Sequence, residues 1–264
     1  TLYFCKLVEQ AGIPPGVVNV VPGYGHTAGA ALACHPQINH MGFTGSPEVG
    51  RLIASECGKN LVPVKLELGG KGAAVVFDDV DIDKTVDQLV AAVTLNTGQV
   101  CCTATRWLIH QNIWEEFVAL AVKKLGSIKI GYGQDSSTQM GPAINQKQKT
   151  RILKYIENGI NQKAQILLEG GTAEVDGYPN GFYVKPCLLA GGPDNICAKE
   201  EIFGPVGYLI KFDSEQQAVE IVNGIDYGLA NSVWTKDNER AKRIAESMIA
   251  GNSWINAHNL FFHG

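Results

Sequence analysis

The stretch LVPVKLELGGKGAAVVF, Leu61 to Phe77, decides the fold. Leu61 to Leu68 carries Val62, Val64 and Leu66 as an apolar run and reads as a β-strand. Gly69-Gly70 interrupts it. Ala73 to Phe77 resumes as a second apolar strand with different content. The glycine pair is the natural boundary between a part spanning residues 1–68 and a part spanning 69–264.

Upstream, helix and strand alternate. An amphipathic helix begins with Leu2, Phe4-Cys5 and Leu7-Val8 and is stopped at Gly12-Ile13-Pro14-Pro15-Gly16. Val17 to Val21 is β-branched and apolar and predicts a buried strand. A helix is expected over His26 to Cys34, a strand over Ile38 to Phe43 and a helix over Ser46 to Cys57. Downstream, Asp79 to Asp83 caps a helix running towards Leu95, and Trp107 to His110 is a strand. Helices are expected over Ile113–Leu125, Lys147–Asn158, Val219–Asn223 and Asn238–Met248, with strands at Ala164–Leu168 and Ser232–Trp234. This alternation predicts an α/β fold with a parallel sheet covered by helices on both faces.

Composition narrows the function classes. The chain has 264 residues and a net charge of −4, which gives no reason to expect nucleic acid or an anionic membrane as partner. No apolar run approaches a membrane span of roughly 18 residues. Seven cysteines, with Cys101 and Cys102 adjacent, predict free thiols in a reducing, cytoplasmic compartment. The six histidines form no metal-ligand spacing, so no metal is expected; His258 and His263 read as loop residues. The chain begins at Thr1 inside a helical pattern and stops at His263-Gly264, which reads as an internal part of a longer protein.

Chemistry concentrates in a few places. Glu67 ends the strand before Gly69-Gly70, where a carboxylate can face the crevice of an α/β sheet. Burial there would raise its pKa towards that of a general base; the alternative is an ordinary surface glutamate. Cys101 follows Gly98-Gln99-Val100 in a glycine turn. It reads as a nucleophile or as a buried structural thiol, and on the cysteine alone the structural reading is the stronger. Gly45-Ser46 lies between a strand and a helix, where Ser46 is either a helix cap or a phosphate contact. Gly23-Tyr24-Gly25-His26-Thr27-Ala28-Gly29 misses the dinucleotide fingerprint by one residue. Glu201 and Phe203 could hold a ribose diol and flank a ring, or be a solvated acid and a core aromatic. Lys71 reads as solvated or in a structural ion pair.

Leu66-Glu67-Leu68-Gly69-Gly70-Lys71, Gly98-Gln99-Val100-Cys101, Phe43-Thr44-Gly45-Ser46 and Glu200-Glu201-Ile202-Phe203-Gly204-Pro205 together resemble the aldehyde dehydrogenase superfamily. The resemblance runs over the whole chain. It implies a truncated Rossmann-like dinucleotide-binding domain over 1–68 and an α/β catalytic domain over 69–264, incomplete at its C-terminal end. It implies oxidation of a small-molecule aldehyde to a carboxylic acid with NAD, or NADP, through a cysteine thioester. Cys101 rather than Cys102 is then the nucleophile and Glu67 the base. Cofactor contacts are implied at Gly25, Gly45, Ser46, Leu68, Gln148, Glu201 and Phe203, with Arg151 standing where a lysine is commoner. A homodimer or homotetramer is implied for the full-length enzyme. The tail Trp254 to Phe261 looks similar to betaine-aldehyde and phenylacetaldehyde-type members. The alternatives are a coenzyme A-acylating relative, against which Glu67 argues, and a non-catalytic protein on the same fold, against which the Cys101–Glu67 pair argues.

Overall fold

The computed structural model describes residues 1–260. The chain divides into two compact units, Thr1–Leu68 and Gly69–Gly264.

The first unit is small. Helix α1 (Leu2–Gln10) ends before Gly12, which has a φ of +78°. A π-type turn over Gly25–Gly29 leads into the short α2 (Ala30–Ala33). Strand β1 (Met41–Thr44), helix α3 (Pro47–Lys59) and strand β2 (Val64–Glu67) follow. β1 and β2 pair in parallel, from Met41 opposite Val64 to Thr44 opposite Glu67. Ala33, Met41 and Cys57 form the buried centre, with Ile38, Ile53, Val62 and Val64 against it.

The expected strand over Val17 to Val21 does not form. This segment is turn and irregular chain, with Val17, Val18 and Val21 exposed. Pro14, Pro15 and Pro22 around it supply no backbone donors, and Gly16 takes a φ of +88°. A β-branched run becomes a strand only where it joins a ladder, and among the described residues the sheet of this unit holds β1 and β2 without this segment.

The second unit carries β3 (Gly72–Val76), α4 (Ile82–Thr94), β4 (Ala104–His110), α5 (Trp114–Gly126), α6 (Gln146–Asn161) and β5 (Gln165–Leu168). A two-stranded antiparallel ribbon, β6 (Gly171–Thr172) with β7 (Val184–Lys185), comes next. Then follow β8 (Cys187–Ala190), α7 (Ile196–Lys199), β9 (Val206–Phe212), α8 (Glu215–Asn223), β10 (Ala230–Trp234), α9 (Asn238–Ser247) and β11 (Asn252–Ile255). Seven strands form one sheet in the order β11-β10-β3-β4-β9-β8-β5, parallel except for β5 against β8.

Strand β3 shows why this sheet is buried on both sides. All five of its residues are buried. Ala73 and Val75 point into the cluster that holds Ile152 of α6, Val222 of α8 and Ile244 of α9. Ala74 and Val76 point into the cluster that holds Leu89 of α4 and Phe117 of α5. Each fully buried Val, Leu or Ile contributes roughly 1.5–3 kcal/mol. At the start of β3 the register slips between Gly72 and Ala73, and the Ala73 N–H donates to Asn231 Oδ1 at 2.9 Å.

Candidate active site

The second unit gathers its chemistry at the N-terminal edge of its parallel strands. Gly69-Gly70 precedes β3, Cys101 precedes β4, Glu201 to Pro205 precede β9 and Leu229 precedes β10. This is the end opposite to the carboxyl edge where open α/β sheets usually take ligands.

The turn that presents Cys101 is built from left-handed residues. Asn96, Thr97 and Gly98 have φ values of 50°, 60° and 68°. Such backbone is costly away from glycine, so the surroundings must hold it. Thr97 Oγ1 donates to the Gly141 carbonyl at 3.0 Å. Gln99 Nε2 donates to the Asn96 carbonyl at 3.0 Å, and Gln99 Oε1 accepts from Ile144 N–H at 2.9 Å. Asn96 Nδ2 closes the turn onto the Gln99 carbonyl at 3.1 Å. The Gly-Gln pair of the motif is thus the support for the turn itself.

Two thiols follow, in different environments. Cys101 is partly exposed. Cys102 is buried against Ala230 and Trp254, and its thiol donates to Asn259 Oδ1 at 3.5 Å. Burial, reinforced by the neighbouring Cys101, pushes the Cys102 thiol up to about 11. A thiolate is the reactive form, so the structure suppresses Cys102.

Gly70 and Gly69 are glycines because two groups crowd them. A Cβ at Gly70 would strike the Cys101 carbonyl oxygen. A Cβ at Gly69 would lie 2.6 Å from Glu201 Oε2. The Gly70 N–H donates to Glu201 Oε1 at 3.0 Å, so Glu201 and the Cys101 turn share one glycine pair. Burial pushes the Glu201 carboxyl above the usual carboxylate range, opposed by the Gly70 N–H, Arg151 and Lys71. Arg151 donates to the Glu201 carbonyl at 2.8 Å. Gln148 spends its amide on the same loop, donating to the carbonyls of Ile202 at 3.1 Å and Phe203 at 2.7 Å. Phe203 is held there at a φ of +60°.

In the first unit, the Gly45 N–H donates to the Glu67 carbonyl at 3.0 Å, tying the start of α3 to the end of β2. Ser46 is the N-cap of α3: its Oγ accepts from Val49 N–H at 3.3 Å, which leaves the hydroxyl proton as a donor. A Cβ at Gly45 would lie 2.5 Å from the Phe43 ring. Leu68 packs where a Cβ on Gly50 would stand. Gly25 opens the π-type turn with open space where its Cβ would be.

Three expectations need correction. Glu67 is not buried: its side chain is 47% exposed, with Lys65 Nζ 3.5 Å away. Lys71 is neither solvated nor ion-paired. Its side chain is buried, and Nζ has no hydrogen-bond partner. Its place is set from the backbone, where the buried Arg106 donates to the Lys71 carbonyl at 3.1 Å. His258 does follow β11 in a bend, but its ring is buried against the Cys101-Cys102 turn. No spacing in the sequence assigns His258 a role, and only the folding back of the chain brings it to the Cys101-Cys102 turn. Phe261 and His263 lie outside the described residues. No group of three or more His, Cys, Asp or Glu side chains able to hold a metal occurs among the described residues.

Residues 1–263 match the aldehyde dehydrogenase family. The chain belongs to the aldehyde dehydrogenase family. It is 42% identical over 262 residues to the mitochondrial aldehyde dehydrogenase of Sus scrofa, covering 98% of this chain and 50% of that one. It is 42% identical over 260 residues to the cytosolic aldehyde dehydrogenase 1 of Rattus norvegicus, covering 97% and 51%. The crystal structure of PnpE from Pseudomonas sp. WBC-3 in complex with nicotinamide adenine dinucleotide superposes with a TM-score of 0.96 at 39% identity, covering 99% of this chain and 54% of that one. This aldehyde dehydrogenase chain spans about half the length of the curated relatives it matches. No helix among its described residues is long and apolar enough to cross a membrane.

Proposed function

We propose that the complete protein carrying this chain oxidises an aldehyde to a carboxylic acid with NAD as cofactor, through a thioester on Cys101. The observation that carries this reading is the contrast between the two adjacent thiols. Cys101 is presented on a left-handed glycine turn, while Cys102 is buried and its thiol is pushed up to about 11.

The residues present suit a dinucleotide. Ser46 keeps a hydroxyl donor at the start of a 13-residue helix, where the dipole favours a phosphate. Glu201 keeps Oε2 as an acceptor for a ribose hydroxyl. Gly45, Leu68 and Phe203 complete the proposed contacts, and Gly25 marks the proposed adenine side. Gln148 acts by holding the carbonyls of Ile202 and Phe203. When bound, the nicotinamide supplies the two-electron acceptor.

In this reading Cys101 Sγ adds to the aldehyde carbon, and its backbone N–H stabilises the developing oxyanion. Glu67 takes a proton from the water that hydrolyses the thioester. Residues 1–68 contribute to the dinucleotide-binding domain and residues 69–264 to the catalytic domain. A homo-oligomer is part of the same reading, and light scattering on the complete protein checks it. The free thiols of Cys5, Cys34, Cys57, Cys101, Cys102, Cys187 and Cys197 support a reducing compartment such as the cytoplasm.

Cys101→Ala and Cys102→Ala in the complete protein test the proposal. Cys101→Ala abolishes cofactor reduction by aldehyde and leaves cofactor binding within about twofold, whereas Cys102→Ala keeps most of the rate. The reverse pattern in single-turnover kinetics would sink the assignment.

A further inference from the structure

After β11 the chain turns back. Asn256, with a φ of 51°, donates its N–H to the Val233 carbonyl, and Asn259 follows with a φ of 57°. Between them His258 is buried, with both ring nitrogens engaged. Nε2 lies 2.8 Å from the Cys102 carbonyl oxygen. Nδ1 lies 2.9 Å from Ser232 Oγ. Ser232 Oγ also accepts from Trp234 Nε1 at 2.9 Å.

We infer that His258 is a positioning residue for the nucleophile: as a neutral imidazole, it fixes the Cys101-Cys102 turn through the Cys102 carbonyl. The inference rests on the reading of Cys101 as the nucleophile.

The partners determine the tautomer. A carbonyl oxygen only accepts, so Nε2 carries the proton and donates. Nδ1 is then the acceptor, and the Ser232 hydroxyl donates to it. Ser232 can do so because its oxygen takes the Trp234 N–H. The result is a fully satisfied relay from Trp234 through Ser232 and His258 to Cys102. Protonating Nδ1 would put a charge in a buried position and reverse the Ser232 bond. Burial accordingly pushes the imidazole down to about 4. His258 thus serves as a fixed donor across the neutral range.

The clasp has two jaws. His258 takes the Cys102 carbonyl while Asn259 takes the Cys102 thiol at 3.5 Å. Gly72 crowds the same carbonyl, since a Cβ there would lie 3.3 Å from it. Without the imidazole donor the Cys102 carbonyl loses its fixed partner, and the Cys101 turn is free to shift. A misplacement of about 1 Å at a reacting atom costs on the order of 100-fold in rate.

The test uses the complete protein with His258→Leu, His258→Gln and Ser232→Ala. kcat, the aldehyde KM and the rate of Cys101 alkylation by iodoacetamide, read by peptide mass spectrometry, are measured as pH varies. His258→Leu lowers kcat by roughly 10- to 100-fold with KM within about twofold, and changes the Cys101 alkylation rate by more than about threefold. His258→Gln, whose amide nitrogen can stand near the Nε2 position, restores kcat to within about fivefold of wild type. Its pH profile keeps the wild-type shape across the neutral range, because the imidazole it replaces is already neutral there. Wild-type kcat in His258→Leu, or His258→Gln as impaired as His258→Leu, would overturn the inference. So would a missing ionisation in the His258→Gln profile, which would make the imidazole an acid or base. If His258→Leu does not fold, Ser232→Ala decides: roughly a 3- to 10-fold loss of kcat supports the relay, and an unchanged kcat overturns it. The alkylation measurement needs no turnover, so it separates failure of this inference from failure of the proposed reaction.

Discussion

Gly98 and Gly204 are in such close backbone contact that a Cβ on Gly98 would overlap the Gly204 carbonyl. The contact joins the turn carrying Cys101 to the loop carrying Glu201 and Phe203, which are distant in sequence. Neither side can yield easily. Gly204 is itself packed on Ile152, where a Cβ would lie 2.5 Å from Cγ1, and Gly98 sits at a φ of 68°.

Gly98→Ala therefore combines left-handed strain with a backbone collision. The strain alone costs on the order of 1–3 kcal/mol. The expected outcome is a fall in Tm of several degrees, together with a loss of kcat greater than about tenfold. Differential scanning calorimetry and steady-state kinetics on the complete protein check both. Wild-type Tm and kcat would show that the turn tolerates a side chain and that the two loops are not rigidly joined.

Sequence patterns reveal only part of this arrangement. Helices α4, α5 and α6 are legible because their apolar spacing is long, and α4 and α6 also carry explicit caps: Asp81 and Asn145 accept from the N–H groups of Lys84 and Gln148. Strand β8, with four apolar residues between Pro186 and Gly191, offers no period to separate strand from helix. Val17 to Val21 offers strong β propensity without a partner, and fails. Within the site, Cys101 and Glu201 are carried by local motifs. His258 and Arg106 are not: their roles depend on carbonyls 156 and 35 positions away, which only the fold brings near. Lys71 misleads for a related reason. A lysine after two glycines reads as solvated, but Lys71 directly precedes β3 and is buried there.

Lys71 makes a prediction about pH. Burial lowers its amine to about 7, aided by Arg106 and opposed by Cys197, Glu201 and Glu200. An unfolded lysine titrates near ~10.4. Between those values the unfolded chain holds a proton that the native state lacks, so stability rises with pH across that window. Below it both states are protonated, and the native state bears the full cost of an unpaired buried charge. Lys71→Met removes that cost. It should raise stability by a few kcal/mol near pH 6, with the gain shrinking towards pH 10. Urea melts at both pH values measure it. A loss of stability of equal size at both would mean that the amine is native as a neutral packed group whose shape, not charge, matters.

Glu67 makes the last prediction, and its exposure sharpens the outcome. Its carboxylate is half open to solvent, with Lys65 Nζ 3.5 Å away. An exposed pair of this kind contributes about 0–1 kcal/mol and does not lock the side chain. Lys65→Ala should accordingly leave the rate within about twofold. Glu67→Gln keeps shape and removes the base. If Glu67 activates the hydrolytic water, thioester formation on Cys101 survives and hydrolysis slows by roughly 100- to 10,000-fold. Reduced cofactor then appears in a burst equal to the enzyme present, followed by a very slow steady rate. Mass spectrometry of the stopped reaction places the acyl group on the peptide holding Cys101. A coenzyme A-acylating enzyme would behave differently. Its turnover would depend on added thiol and respond little to Glu67→Gln. A burst that vanishes together with the steady rate, with no acyl-enzyme trapped, would remove Glu67 from deacylation and leave Cys101 as the supported half of the pair.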